Sequence, residues 1–158
     1  SGTYPTESVQ MMTKIIENVE KDTTYQKILE ATRPIIENTV SDAVTSASQK
    51  LVYDLDARLI VTFTATGGTA LRESHKRPPC PIIGLTHSIQ VARQLTLAWG
   101  VVPLLLTRTV LDFEELTKEA MALVRTHKFA PKGAPIIITF GVPFGRPGTT
   151  NIINIEKV

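Results

Sequence analysis

Thr64-Ala65-Thr66-Gly67-Gly68-Thr69 gathers three hydroxyls and two glycines into one short stretch. Those residue types suit the non-covalent capture of an anion. Leu59–Phe63, a run of β-formers, precedes the stretch, and Ala70-Leu71-Arg72 after it reads as helix. A strand, a turn of small residues and a helix N-terminus together present unpaired N–H groups and the positive end of a helix dipole. Gly67 and Gly68 let the backbone approach a ligand with no Cβ in the way. Phosphate is the anion such a cradle suits best. An ordinary βα turn with a threonine cap has the same spacing, and both readings stand on these residues alone.

A second loop, Gly141–Thr150, holds Gly141, Gly145 and Gly148, Pro143 and Pro147, and Arg146 beside Thr149 and Thr150. Arginine clamps a phosphate through two parallel N–H groups. A loop that folds over a bound anion is one reading. A surface hairpin with a solvated arginine is the other.

Other chemistries find no support. There is no GxxxxGK[ST] loop, no GxGxxG after a strand and no serine in a nucleophile elbow. His75, His87 and His127 are scattered without metal-ligand spacing, so neither a metal site nor a catalytic residue is expected. Asp112, Glu114 and Glu115 read as a helix N-terminus. The net charge of +2, with no basic block, gives no reason to expect nucleic acid as a partner. Val101–Leu106 and Pro135–Ile138 are the longest apolar runs, too short for a membrane. Cys80 is the only cysteine, which suits a reducing compartment, and after Pro78-Pro79 it reads as a small buried residue at least as readily as a reactive one. The 158 residues, 42% hydrophobic and 20% charged, fit one globular domain with a real core.

The elements that must position these loops follow from periodicity. Pro5 suits a first helical turn, and Val9, Met11, Met12, Ile15, Ile16 and Val19 recur at helical spacing to about Lys21. This helix opens so close to Ser1 that a segment of a longer chain is expected. Asp22–Arg33 reads as a polar connector holding at most a helical turn, with Pro34 as a breaker. Ile35–Leu55 is helical, with a stripe of Thr39, Val40, Ala43, Val44, Ala47, Leu51 and Val52 whose small alanines suit close packing against a sheet. Strands then alternate with helices: Leu59–Phe63, a helix from Gly68 to Ser74, Pro81–Thr86, a helix from Ser88 through Ala98 with Trp99 in the core, Val101–Leu106, a helix from Asp112 to His127, and Pro135–Phe140. Asn151–Glu156 follows with no helix between, so it must return antiparallel.

The predicted fold is therefore α/β, a three-layer α/β/α arrangement around a mostly parallel five-stranded sheet whose last strand is antiparallel. Ligands in such sheets sit outside the carboxyl ends of strands, where the strand order reverses. Both loops leave carboxyl ends, so the two are expected to flank one pocket.

In order along the chain, several stretches resemble one family. Gly2-Thr3-Tyr4-Pro5-Thr6-Glu7-Ser8-Val9 is similar to the G-x-Y-P-x-E-x-V stretch where pyruvate kinases leave their catalytic barrel. Thr64–Ala70 resembles their T-x-S/T-G-x-S/T-A effector loop, and Cys80–Thr86 the A/C-P-I-I-x-x-T strand. Arg93-Gln94-Leu95 with Trp99-Gly100-Val101, Lys132-Gly133, and Gly148-Thr149-Thr150-Asn151 resemble the R-Q/R-L…G-V, K-G-D and G-S/T-T-N segments. The ordered set covers essentially the whole chain and resembles the C-terminal domain of a pyruvate kinase, residues 22–158, with residues 1–21 as the helix leading out of the barrel.

The resemblance implies a phosphotransferase of glycolysis, cytoplasmic or in an organelle stroma. The whole enzyme would move phosphate from phosphoenolpyruvate to ADP with Mg²⁺ and K⁺. The catalytic residues belong to the barrel and lid, so this chain is expected to be inactive alone, with no cofactor of its own. It implies a regulatory and oligomerisation domain, whose partners are that barrel, further copies of the chain and a phosphorylated small-molecule effector. Thr64, Ala65, Thr66, Gly67, Gly68 and Thr69 would hold the effector phosphate, and the loop from Gly145, with Arg146, Gly148 and Thr149, would close over it. Three positions depart from the family. Gly68 stands where many members carry arginine or lysine. Leu116 falls, by a gapless count from Lys132-Gly133, near the arginine that binds the second phosphate of fructose 1,6-bisphosphate in some members. Ala134 replaces an aspartate. A sugar or nucleotide monophosphate, or no effector, then fits better than a bisphosphate, with Arg72 and Arg146 as candidate anion partners. Two further readings are a stand-alone phosphometabolite-binding module and an assembly scaffold that binds no effector.

Overall fold

The computed structural model describes residues 2–31, 37–106, 112–144, 146 and 148–158. Arg33, Pro34, Ile35, Gly145 and Pro147 lie outside the described residues. The chain divides into two compact units, residues 1–35 and 36–158.

The first unit holds helices α1 (Pro5–Glu20) and α2 (Thr23–Ala31). Pro5 sits in the first turn of α1, where a missing N–H costs nothing. No α1 residue is buried, and its Val9, Met12, Ile16 stripe stays exposed. The expected polar connector is instead mostly helix. Asp22 accepts the Thr24 N–H at 2.7 Å, which starts α2 and holds the Asp22 carboxyl below its ordinary range. Thr23–Ala31 contains no glycine or proline to stop the turn from propagating.

The second unit is the α/β fold. Its elements are α3 (Val40–Leu55), β1 (Ile60–Phe63), α4 (Gly68–His75), β2 (Ile82–Thr86), α5 (Ile89–Leu95), β3 (Val101–Leu105), α6 (Phe113–His127), β4 (Pro135–Gly141) and β5 (Thr150–Lys157). The strand order is β3-β2-β1-β4-β5. All pairs are parallel except the antiparallel β4–β5 pair, and that mixed pattern is the one the sequence predicts. Side chains alternate between two cores. Val61, Ile83, Leu85, Ile136, Ile138 and Phe140 face α6 through Leu116, Ala120, Met121 and Val124. Ile60, Ile82 and Ile137 face α3, α4 and α5 through Val52, Ala70 and Leu95. Thr39, Ser88 and Asp112 cap α3, α5 and α6 with side-chain oxygens that accept N–H groups of the first turns. α5 closes at Leu95 rather than Ala98, because Leu97 and Ala98 bond back three residues in a tightened last turn. Trp99 is half-buried under the Arg77 guanidinium, 4.5 Å from its ring centre. Cys80 is buried, and burial pushes its thiol up to about 12, as befits a packing residue.

α3 packs on the sheet through Val52, with Leu51 half-buried, but most of the stripe expected of it is not buried. Val40, Ala43 and Ala47 are exposed, while Ser41, Asp42, Thr45, Ser48 and Gln49 are buried with Val52. Small hydroxyls bring α3 close to α4, and hydrogen bonds hold the contact. Ser48 Oγ donates to the Glu73 carboxyl at 2.7 Å, Gln49 Nε2 donates to the Lys76 carbonyl, and Lys76 Nζ pairs with Asp42 Oδ1 at 2.8 Å.

Glu73 is fully buried in this seam, and burial pushes its carboxyl up to about 8 against the opposing effects of Ser48, Lys76 and Thr139. The folded chain thus keeps a proton that the unfolded chain releases near the ordinary value of 4.5. Stability from this proton is complete below 4.5 and is lost as pH rises to about 8, where the folded group also ionises. Urea unfolding of the wild type should show a midpoint that falls between pH 5 and pH 8. Glu73→Gln should remove most of that fall; an equal fall in both proteins would contradict the assignment.

Candidate functional site

The strand order reverses between β1 and β4, which are direct neighbours. The loops that leave their carboxyl ends therefore open onto the same rim. Thr64 closes β1 by donating its N–H to the Leu85 carbonyl at 2.9 Å, and its Oγ1 accepts the Gly67 N–H at 2.9 Å. Gly67 is the N-cap of α4 at a φ of +87°, left-handed backbone that glycine adopts without strain. The first N–H groups of α4 have no partner within the helix, and no acidic residue sits in its first turn to take up the dipole.

The second loop is tied down at several points. Asn151 makes paired bonds to the Val142 backbone at 3.0 and 2.8 Å, Thr149 Oγ1 donates to the Arg146 carbonyl at 2.7 Å, and Ser41 Oγ donates to the Gly148 carbonyl at 2.8 Å. The strands cross tightly here: a Cβ on Gly141 would lie 2.6 Å from the Thr149 carbonyl oxygen. Thr69 Oγ1 and Thr150 Oγ1 meet at 2.6 Å, both buried, and join the cradle to β5. Phe144 stacks on Phe140 at 6.0 Å and Phe140 on Phe113 at 5.0 Å, which anchors the loop to the core.

Between the loops lies a cavity of about 380 Å³. Thr64, Ala65, Thr66, Gly68, Thr69, Arg146, Gly148 and Thr149 line it, so the structure brings these sequence-predicted residues together. Gly67 does not line it; a Cβ there would point at Val91 and Leu95 of α5. Arg72 adds a second guanidinium to the polar side. The opposite wall is apolar, with Phe63, Leu85, Leu106, Leu116 and Phe144. Leu116, where the resemblance places a second-phosphate arginine, is buried in that wall. Sequence reasoning missed Thr86 and His87. Thr86 ends β2 and His87 follows it, and only the pairing of β2 with β1 brings them to this rim. Among the described residues no group of three or more His, Cys, Asp or Glu side chains could hold a metal ion. No helix of the described residues is long and apolar enough to cross a membrane.

The family described as "Pyruvate kinase, alpha/beta domain" matches residues 42–156. The chain belongs to the pyruvate kinase family. A pyruvate kinase of Agrobacterium vitis is 43% identical over 157 residues, covering 99% of this chain and 33% of that protein. The pyruvate kinase of Methylorubrum extorquens is 39% identical over 158 residues, 100% of this chain and 33% of its own length. That of Clostridium acetobutylicum is 32% identical, again over 158 residues and 33% of its length. The chain thus spans about a third of these pyruvate kinases, and it corresponds to their C-terminal domain, the one the sequence motifs indicate.

The shape of the cradle makes a stability prediction. Gly67→Ala should cost about 1–2 kcal/mol, because an alanine must adopt left-handed backbone there. Gly68→Ala, at ordinary helical φ, should cost little. Equal urea midpoints for the two variants would contradict this account of the turn.

Proposed function

We propose that this chain is the regulatory and assembly domain of a pyruvate kinase and that its cavity receives a phosphorylated small molecule. The whole enzyme would transfer phosphate from phosphoenolpyruvate to ADP in the cytoplasm, with Mg²⁺ and K⁺ held by its catalytic barrel outside this chain. The observation that carries the effector reading is the cavity at the β1–β4 rim. There Thr64, Thr66 and Thr69, the α4 N-terminus, Arg72 and Arg146 surround one space. Hydroxyls, amides and guanidinium groups together suit a phosphate. The apolar wall around Leu116 favours a ligand with one anionic end, a sugar or nucleotide monophosphate, over a bisphosphate. Occupancy would complete the ordering of the Gly141–Thr150 loop and shift the balance of subunit arrangements.

Assembly is proposed to use β5, an edge strand whose Ile155 is 46% exposed. An open edge pairs readily with its own copy in a neighbouring subunit.

Calorimetric titration of the 158-residue chain with sugar and nucleotide monophosphates should reveal binding, and the chain should show no turnover of phosphoenolpyruvate. Thr66→Ala combined with Arg146→Ala should weaken that binding at least about tenfold, the scale of lost charged hydrogen bonds. Unchanged affinity in the double variant would move the site elsewhere, and turnover by the chain alone would overturn the division of labour.

A further inference from the structure

The cradle lacks a basic side chain at position 68, yet a cation stands there. A methyl group built on Gly68 would lie 3.3 Å from Arg72 Nη1 and 3.7 Å from Thr66 Oγ1. The Arg72 guanidinium therefore folds back one helical turn, over the start of α4, and converges with the Thr66 hydroxyl. Its Nε is buried with no hydrogen-bond partner among the described residues. Its Nη2 lies 3.5 Å from Glu37 Oε2, with side-chain exposures of 32% and 63%. That pair is long, single-pronged and half in water, so it holds the guanidinium weakly.

We propose that Arg72 is the cation of the cradle and that Glu37 is its resting counter-ion, displaced when a phosphate binds. The proposal rests on reading the cavity as a phosphate site. A phosphate offers the guanidinium two short charge-assisted bonds in place of one long contact. Glu37 lies just ahead of α3, whose Ser41 holds the Gly148 carbonyl of the other loop. The segment entering α3 thus touches both halves of the pocket, and release of Glu37 reports occupancy to that segment.

The test is the affinity of the full chain for glucose 6-phosphate, measured by equilibrium dialysis at one fixed salt concentration. Glu37→Gln should bind about two- to fivefold more tightly than wild type, the range an exposed ion pair supports. Arg72→Gln should bind at least about fivefold more weakly. In the double variant, removal of Glu37 should bring no gain, since its partner is gone. Binding by wild type with no change in Glu37→Gln would overturn the exchange and leave the site intact. The same gain with and without Arg72 would reduce Glu37 to a general charge effect and also overturn it. Absence of binding in every variant would remove the site reading and the exchange together.

Discussion

The parallel pairing of β1 with β4 is the constraint on which the site depends. These strands are distant in sequence, and α4 and α6 fall on opposite faces of the sheet. At the point where the winding direction changes, no helix of the described residues covers the rim between them, and the two loops enclose a space instead. The antiparallel β5 completes the arrangement. Its first residue, Thr150, returns the second loop to the sheet and sets a hydroxyl against Thr69. Both the helix N-terminus and the second loop are thus held from below by strands.

The polar seam between α3 and α4 serves the same geometry from the side. Serines and threonines allow the helices to approach closely, and the bonds to Glu73 and Lys76 fix α4 in one position. An apolar stripe would have buried more surface with less directional control. α4 carries the cradle at one end and Glu73 in its next turn, so the seam and the cradle share one rigid element.

Much of this was legible in the residues. Five strands, their alternation with helices and the antiparallel return followed from periodicity and from the missing helix after Phe140. The two loops were legible from glycine, hydroxyl and arginine content. What stayed hidden depended on contacts across the sheet. α3 reads as amphipathic with alanine inward, because a stripe of Ser and Thr carries no periodic signal of burial until Glu73 and Lys76 stand opposite it. His87 and Thr86 gained a place at the rim only through strand order. Asp22–Arg33 reads as a connector because its polar residues lack a core-facing stripe, yet the helix over Thr23–Ala31 needs none to propagate.

Two loops that act as one anion site must respond to a ligand together. The most direct measurement is amide chemical-shift mapping of the ¹⁵N-labelled chain as glucose 6-phosphate is added. Amides of Thr66–Thr69 and of Gly148–Thr150 should shift together along a single binding curve. Shifts confined to one loop, or two loops that follow different curves, would contradict a single anion site.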